Sequence, residues 1–406
     1  MSATKPLAFG PTHLAIPGPS VMPERVLRAM HRASPNIYEG EMTDLTWTLM
    51  PDLKRVARTE GHVALYIANG HGSWEAALAN TVAPGETVLV LVTGRFGEGW
   101  GAMARTMGIE TQVLDFGMEA PVDPQVVEDT LRADTGGKIK SVLTVQTDTA
   151  SSVKNDIPAI RAAIDAAGHD ALLQVDCMAS LGCDRFEMDA WGVDVMMAGC
   201  QKGLMTPAGM AFVFFNERAD GVRARLPRVS QYWDWVPRTR PELYYQLFCG
   251  TAPTHHLYGL REALDILVHE EGVEACWARH ETIAHAVWAA VEAWGEGGDM
   301  ALNIADPDFR SRAVTAVALA EGEGTRLRRW TEHGGGVTLG IGLGFGAPGS
   351  PEYDRRLRIG HMGHQSVASV MATLGTMDAG LKACAIPHGD SALAAASAIL
   401  AEHHRD

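Results

Sequence analysis

Long apolar runs and paired cysteines are both missing from this chain of 406 residues. Nowhere do about 18 apolar residues follow one another, which is the length that a membrane-spanning helix needs. Residues 1–10 have no apolar signal core, so the sequence predicts a cytoplasmic protein with no membrane partner. The six cysteines form no CxxC pair, and we expect them to be reduced thiols.

The charge balance excludes a further class of partner. The chain carries 34 basic and 49 acidic side chains, a net charge of −15, and its basic residues are scattered. Such a surface repels phosphate backbones, so we predict no nucleic-acid partner. The 16 histidines lack the spacing of a zinc site, so no metal is expected.

Two kinds of segment alternate along the chain: short apolar runs, which are typical of buried strands, and amphipathic stretches, which are typical of helices. The predicted strands are 63–68, 87–93, 111–116, 141–146, 171–176, 193–199 and 210–215. The predicted helices between them are 73–82, 97–107, 124–133 and 157–167. This alternation predicts an α/β fold with a mostly parallel, doubly wound sheet, in which ligands bind at the carboxyl ends of the strands.

The pattern changes after about residue 257. Two long helical patterns, at 257–270 and 273–294, precede strand-like runs at 313–319, 337–341 and 356–361. We therefore predict three parts, an N-terminal segment 1–20, a large domain 21–256 and a smaller C-terminal α+β domain 257–406. The irregular stretch 223–252 is predicted to connect the two domains.

Two charged residues each follow a predicted buried strand. Asp176 ends the run 171–176, and Lys202 comes after the run 193–199 and before a loop rich in Gly and Pro. Burial lowers the pKa of a lysine and makes its amine a nucleophile near neutral pH. The pair suggests an amine that captures an aldehyde and a carboxylate that holds a protonated ring nitrogen. A snorkelling lysine and a helix-capping aspartate are the plainer alternatives.

The connections after other strands carry groups that suit a phosphorylated aromatic cofactor. A glycine-bearing turn at 69–75 opens a helix, and amides at such a position can hold a phosphate. Phe96 lies between two glycines and can stack on a ring, and Thr149 lies in a run of hydroxyl side chains. Each feature alone fits an ordinary helix start, a core residue or a turn. Together at one sheet edge they predict pyridoxal 5'-phosphate.

Several motifs make the chain resemble a known family. They are PGPS at 17–20, DCMASLG at 176–182, MDAWGVD at 188–194, GCQKG at 199–203 and LYGLREA at 257–263. With these motifs the sequence resembles the class V, fold-type I pyridoxal-phosphate aminotransferases, closest to the serine–glyoxylate and alanine–glyoxylate enzymes. The resemblance covers nearly the whole chain. It implies ping-pong transfer of the amino group of a small amino acid, such as serine or alanine, to a 2-oxo acid, with glyoxylate expected.

The resemblance also implies a role for individual residues in binding the cofactor. Lys202 matches the lysine that forms the internal aldimine, and Asp176 matches the acid on the ring nitrogen. The phosphate is implied to be bound by Gly70, His71 and Gln201. The ring is implied to be contacted by Phe96, where relatives often have tryptophan, and by Thr149 and Met178.

Substrate and partner contacts are implied in the same way. Arg358 matches the arginine whose planar fork binds the substrate carboxylate, and Gly18 and Pro19 are implied to lie near it. Arg356 shares that strand face, and we interpret it as a solvated salt-bridge residue. Thr251 is implied to reach the cofactor of a partner subunit in a homodimer. Phe248 stands where relatives usually have a tyrosine, which removes one phosphate donor.

Other functions stay open on these residues. A pyridoxal-phosphate lyase or aldolase would use the same fold, as would pyridoxamine–pyruvate aminotransferase, whose signature shares the run RIGHMG at 358–363. A nicotinamide oxidoreductase would need a glycine fingerprint that is lacking, and the pair Asp176 and Lys202 argues against a silent binding protein. The segments 34–39 and 249–253 depart from the family pattern, so the amino donor is not fixed. The aromatic cluster 232–235 is assigned either to the pocket or to an interface.

Overall fold

A computed structural model describes residues 7–403 of the chain. The strands are His13–Ala15 (β1), His62–Tyr66 (β2), Thr87–Val92 (β3), Glu110–Asp115 (β4), Ile139–Val145 (β5), Leu172–Asp176 (β6), Val195–Gly199 (β7), Ala211–Phe215 (β8), Ala301–Leu302 (β9), Val314–Ala318 (β10), Val337–Ile341 (β11) and Arg356–Gly360 (β12). The α-helices are Glu24–Met30 (α1), Glu41–Ala57 (α2), Gly70–Thr81 (α3), Arg95–Thr106 (α4), Pro124–Ala133 (α5), Ile157–Ala166 (α6), Glu217–Arg225 (α7), Val236–Thr239 (α8), Thr254–Leu264 (α9), Val273–Gly295 (α10), Glu323–Gly335 (α11), Pro351–Asp354 (α12), Val367–Ala383 (α13) and Ala392–Glu402 (α14).

The large sheet has the strand order β2-β8-β7-β6-β5-β3-β4. Strands β3 to β7 pair in parallel with their neighbours, whereas β8 is antiparallel to both β2 and β7. The predicted α/β fold with a mostly parallel sheet is therefore confirmed. Because β2 runs in the same direction as β7, the carboxyl ends of β2, β3, β5, β6 and β7 meet at one edge of the sheet.

Apolar cores cover both faces of this sheet. In β3, Leu89 and Leu91 belong to one buried cluster, and Val88 and Val90 belong to another on the opposite face. Successive strand residues point to opposite faces, so a strand covered on both sides is apolar throughout instead of alternating. This explains the continuous apolar runs from which the strands were predicted.

The second sheet has the order β1-β11-β12-β10-β9, in which β1 is parallel to β11 and the other pairs are antiparallel. Its core contains residues of α10, α13 and α14 together with Ala15 of β1. The N-terminal segment therefore contributes a strand to the C-terminal sheet. Residues Leu257, Leu260 and Leu264 of α9 pack in the core of the large sheet. The domain boundaries themselves stay a prediction.

Several elements differ from the sequence prediction. The helices α1 and α2 had no predicted counterpart, and the stretch 223–252 contains α8 and a 3₁₀ turn at Tyr244–Phe248. The helix predicted at 257–270 is regular only to Leu264 and continues as π-helix over Asp265–Glu271. Among the residues described, no helix is both long and apolar enough to cross a membrane.

Candidate active site

The carboxyl ends of the central strands border a cavity of about 290 Å³. Ten of the predicted site residues line it: Gly18, Pro19, Gly70, His71, Phe96, Thr149, Asp176, Met178, Gln201 and Lys202. The other two, Thr251 and Arg358, do not line it. The structure thus brings together residues from the N-terminal segment and from the connections after β2, β3, β5, β6 and β7.

Asp176 ends β6 and is buried at the base of the cavity. Its Oδ2 accepts a hydrogen bond from Trp74 Nε1 at 2.6 Å, and its Oδ1 accepts one from the Met178 backbone N–H at 2.6 Å. Burial raises the pKa of Asp176 to about 6, and these two donors oppose that rise. The carboxyl group is therefore mostly ionised at neutral pH, and each of its oxygens is held by one donor.

Lys202 lies in the loop after β7 and is partly buried. Its Nζ donates to the carbonyl of Pro17. The backbone beside it is held by Ser20, whose Oγ donates to the Lys202 carbonyl at 2.7 Å and whose N–H donates to the Gln201 carbonyl at 2.9 Å. Burial and, to a smaller extent, the nearby Arg358 cation lower the pKa of Lys202 to about 8. A substantial fraction of the amine is thus neutral just above neutral pH.

The turn after β2 offers unpaired polar groups to the cavity. Gly70 begins α3 and Asn69 caps it. Among the described residues, no acceptor is found for the backbone N–H groups of Gly70 and His71, as expected for the first turn of a helix. Gln201 also lines the cavity, and among the described residues its side-chain amide has no partner, neither for the buried Oε1 nor for the Nε2 donor. Amides at a helix start and an uncommitted side-chain amide suit a phosphate group.

Asp148 joins two of the cavity loops. Its Oδ2 accepts from the backbone N–H groups of Phe96 at 2.7 Å and Gly97 at 3.2 Å, in the first turn of α4. Its Oδ1 accepts from the Ala150 N–H at 2.9 Å, next to Thr149. Asp148 is fully buried, and burial raises its pKa. Through these backbone bonds the Asp148 carboxylate holds the loop of Phe96 and the loop of Thr149 in a fixed relative position.

Arg358 lies in β12 behind the Thr149 loop. Its Nη1 donates to the Thr149 carbonyl at 2.7 Å, and its Nε donates to the Ile341 carbonyl at 2.7 Å. Burial lowers the pKa of Arg358 to about 10, and the negative charge of Asp148 opposes that change. The Nη2 atom makes no hydrogen bond to the part of the chain that is described, so one edge of the guanidinium remains available for a carboxylate.

Arg356 is engaged elsewhere. Its Nη1 donates to Asn303 Oδ1, its Nη2 donates to Glu119 Oε1 at 3.1 Å, and its guanidinium lies 4.5 Å from the centre of the Phe345 ring. The expected salt bridge is present, but Arg356 is 8% exposed and therefore buried, not solvated. The sequence missed this because the ring of Phe345 and the Asn303 amide come from distant segments.

Thr251 lies outside the cavity of its own chain, exposed on the loop before α9.

The aromatic cluster 232–235 is divided between two settings. Trp235 belongs to the core, where its ring stacks on Phe215 at 3.9 Å, so it is in neither a pocket nor an interface. Tyr232 lies nearer the surface, and its hydroxyl donates to the Ile67 carbonyl at 2.9 Å.

Three groups near the cavity were not assigned a role from the sequence: the indole of Trp74, the carboxylate of Asp148 and the carbonyl of Pro17. Trp74 follows Gly70 by one helical turn, a spacing that places both on one face of α3 and could have indicated it. Asp148 was part of the hydroxyl run but was given no function. A backbone carbonyl such as that of Pro17 leaves no sequence signal.

The partly buried Lys202 and the buried Asp176 lie at the carboxyl edge of a mostly parallel sheet, an arrangement that fits an aminotransferase of the fold-type I class. The chain belongs to the aminotransferase class-V family, whose family model matches residues 18–335.

Individual relatives agree with this family. The chain is 37% identical over 408 residues to a serine–glyoxylate aminotransferase of Methylorubrum extorquens, with 97% of each chain covered. It is 33% identical to an L-aspartate–glyoxylate aminotransferase of Paracoccus denitrificans, with 89% of each covered. Among solved structures, a pyridoxamine–pyruvate aminotransferase from Mesorhizobium loti superposes with a TM-score of 0.85 at 25% identity, covering 100% of this chain and 99% of that one.

Proposed function

We propose that the protein is a pyridoxal-phosphate-dependent aminotransferase that moves the amino group of a small amino acid to glyoxylate. The observation that carries this proposal is the meeting of Lys202 and Asp176 in one cavity with the backbone N–H groups of Gly70 and His71, for which the described residues offer no acceptor. An amine of lowered pKa, an ionised acid and free donors for a phosphate are the groups that this cofactor requires.

The residues of the cavity suit the parts of the cofactor. Asp176 would hold the protonated ring nitrogen, and Gly70, His71 and Gln201 would hold the phosphate. Phe96, Thr149 and Met178 would contact the ring; these three assignments follow the family resemblance. When bound, pyridoxal phosphate supplies a conjugated ring that takes up the electron pair left at the substrate Cα.

Lys202 moves the proton in this proposal. With the cofactor bound, its Nζ would act as the general base that takes the proton from the substrate Cα, and it would later return that proton. The lowered pKa of Lys202 suits that role, because the amine must be neutral to accept a proton. Arg358 orients the substrate through its carboxylate, using the guanidinium edge that Thr149 and Ile341 leave free.

Quaternary and domain organisation are part of the proposal. We place the large domain at 21–256 and the small domain at 257–406, preceded by an N-terminal segment 1–20. Exposed Thr251 would complete the phosphate site of the partner subunit in a homodimer. Gly18 and Pro19 would contribute backbone near the substrate carboxylate, because both line the cavity.

Glyoxylate is proposed as acceptor because the curated relatives described above carry that name, with serine in one case and aspartate in the other as donor. The experiment is a half-reaction assay. The purified enzyme is loaded with pyridoxal phosphate and its visible spectrum is followed with serine, alanine and aspartate, and then with glyoxylate, pyruvate and 2-oxoglutarate. Full exchange with a small amino acid and glyoxylate is expected, and none with Lys202→Ala. A Lys202→Ala enzyme that cycles normally would overturn the proposal.

Pyridoxamine–pyruvate transamination is the second candidate, because an enzyme of that name has the similar fold noted above. That reaction takes free pyridoxamine as substrate and needs no phosphate site. Adding pyridoxamine and pyruvate to the same assay separates the two. Turnover of free pyridoxamine without bound pyridoxal phosphate would favour the second candidate.

A further inference from the structure

Trp74 connects three parts of the cavity. It stands in α3 one turn after Gly70, is 1% exposed, and its Nε1 donates to Asp176 Oδ2 at 2.6 Å. Its ring stacks on Trp100 with centroids 6.0 Å apart and an interplanar angle of 13°. Its ring also lies 6.3 Å from Phe96 in an edge-to-face arrangement and 4.7 Å from the tilted ring of His71.

We propose that Trp74 is a positioning residue for amino transfer, whose indole N–H holds the Asp176 carboxylate ionised and turned toward the cofactor's ring nitrogen. The inference rests on the proposed function, because Asp176 needs a fixed, charged form only if it faces a ring nitrogen.

The hydrogen-bond geometry around Asp176 supports this role. Each carboxylate oxygen has one protein donor, Trp74 Nε1 on Oδ2 and the Met178 N–H on Oδ1. Two donors on different oxygens fix the plane of the carboxylate, and each oxygen retains a lone pair for a further donor. Without the indole N–H, one buried oxygen would lose the single donor that the described residues give it, and the carboxylate could rotate about its single bond.

The electrostatic setting makes that donor important. Burial favours the neutral form of Asp176, and the negative charge of Asp148 acts in the same direction. The cation of Lys202 opposes them, whereas the thiol of Cys177 stays neutral because burial raises its pKa well above the usual value. The indole N–H and the Met178 N–H therefore supply much of the stabilisation of the anion.

A purely structural role for the Trp74 ring is the alternative, and Trp100 provides the matched control. Trp100 is also fully buried and belongs to the same stacked pair, but its Nε1 has no hydrogen-bond partner among residues 7–403. Trp74→Phe and Trp100→Phe both replace a buried indole by a smaller ring. Only the first removes an N–H that is bonded to Asp176.

The experiment measures the dissociation constant of pyridoxal phosphate for the apoenzyme by absorbance, from alkaline to acidic pH. Ionised Asp176 is needed for binding, so affinity falls as the pH drops below the pKa of Asp176. Losing a donor to the anion raises that pKa, so in Trp74→Phe the fall begins at higher pH than in wild type. We also expect affinity at neutral pH to weaken by about 10- to 100-fold, the range for a hydrogen bond to a charged group. We call this fall of affinity at low pH the acid limb, and Trp100→Phe should keep the acid limb of the wild type.

A second pair of variants excludes packing effects. If Trp74 acts through the charge of Asp176, adding Trp74→Phe to Asp176→Asn should cause no further shift of the acid limb. Equal acid limbs for Trp74→Phe and Trp100→Phe, or the same shift in the Asp176→Asn background, would overturn the inference. A wild-type protein that binds no pyridoxal phosphate would instead overturn the proposed function, so the two failures are distinguishable.

Discussion

Arg358 donates from Nη1 to the backbone carbonyl of Thr149 at 2.7 Å. The arginine stands in a strand of the small sheet, and the threonine stands in a loop of the large one. One hydrogen bond thus couples the group proposed to bind the substrate carboxylate to a residue proposed to contact the cofactor. Because the guanidinium is anchored before substrate arrives, little ordering remains to be done on binding.

Replacing Arg358 by lysine should weaken the binding of both substrates, the amino donor and the oxo acid. A lysine ammonium cannot bond Thr149 and Ile341 and also present a planar edge to a carboxylate. We expect KM for the amino donor and for the oxo acid to rise by about 10- to 100-fold, from the loss of hydrogen bonds to a charged group. Steady-state kinetics measure this change. Arg356→Lys is the control, because Arg356 is held by Glu119 and Asn303; an equal rise in its KM would contradict the assignment.

The rate at which apoenzyme captures pyridoxal phosphate should rise with pH around 8. Only the neutral amine of Lys202 attacks the aldehyde, and burial together with the Arg358 cation lowers the pKa of Lys202 to about 8. Stopped-flow absorbance measures the association rate. Removing the cation in Arg358→Gln raises the pKa of Lys202, so the midpoint should move to higher pH, whereas Arg356→Gln should leave it in place. A wild-type midpoint at the ordinary lysine value of 10.5 would refute the prediction.

Thr251→Ala should lower the affinity for pyridoxal phosphate in the cavity of the other subunit. The test is a mixed dimer, formed from one Thr251→Ala subunit and one Lys202→Ala subunit. The Thr251→Ala subunit keeps Lys202 and would receive Thr251 from its partner, so one cavity per mixed dimer should recover wild-type affinity. Thr254→Ala serves as control, since the Thr254 hydroxyl is within 3.3 Å of His255 in its own chain. A mixed dimer as weak as Thr251→Ala alone would show that Thr251 does not act across the interface.

Asp148→Asn should destabilise the folded protein. Both oxygens of Asp148 accept backbone N–H groups, so an asparagine must turn an NH₂ group toward one of those donors. We expect the free energy of unfolding of the apoenzyme to fall by about 1–3 kcal/mol, measured by urea denaturation. Asp115→Asn is the matched change, because exposed Asp115 accepts one hydrogen bond from the part of the chain that is described, from the N–H of Gly117 at 2.9 Å. Equal losses in the two variants would mean that the Asp148 network contributes no more than a surface turn.

The sequence alone was enough to predict several strands and some of the residues that line the cavity. Strands covered on both faces produce continuous apolar runs, so β3 and β8 were predicted within a residue of their ends. Lys202 and Asp176 could be recognised because a charge directly after such a run is conspicuous. Gly70 and Gln201 were predicted as phosphate-binding residues from the family resemblance; both line the cavity, and their role stays a prediction.

Other contacts depend on segments that meet only in three dimensions. The pairing of His13 with Val337 is a backbone contact of a very short strand, which apolar periodicity does not reveal. The bond from Trp74 to Asp176 joins a helix to a strand end, and the sequence gives no sign of a partner for an indole N–H. The same holds for Asp148, since its partners are backbone amides that every residue possesses.

The parallel pairing of β1 with β11 also has a consequence for the order in which the enzyme is made. On the ribosome, Pro17 and Lys202 both emerge before Val337 does. The carbonyl of Pro17 reaches the Lys202 amine through a segment that is anchored by that late strand. The amine therefore acquires its final surroundings only after β11 has been synthesised, so capture of the proposed coenzyme would follow the emergence of that strand.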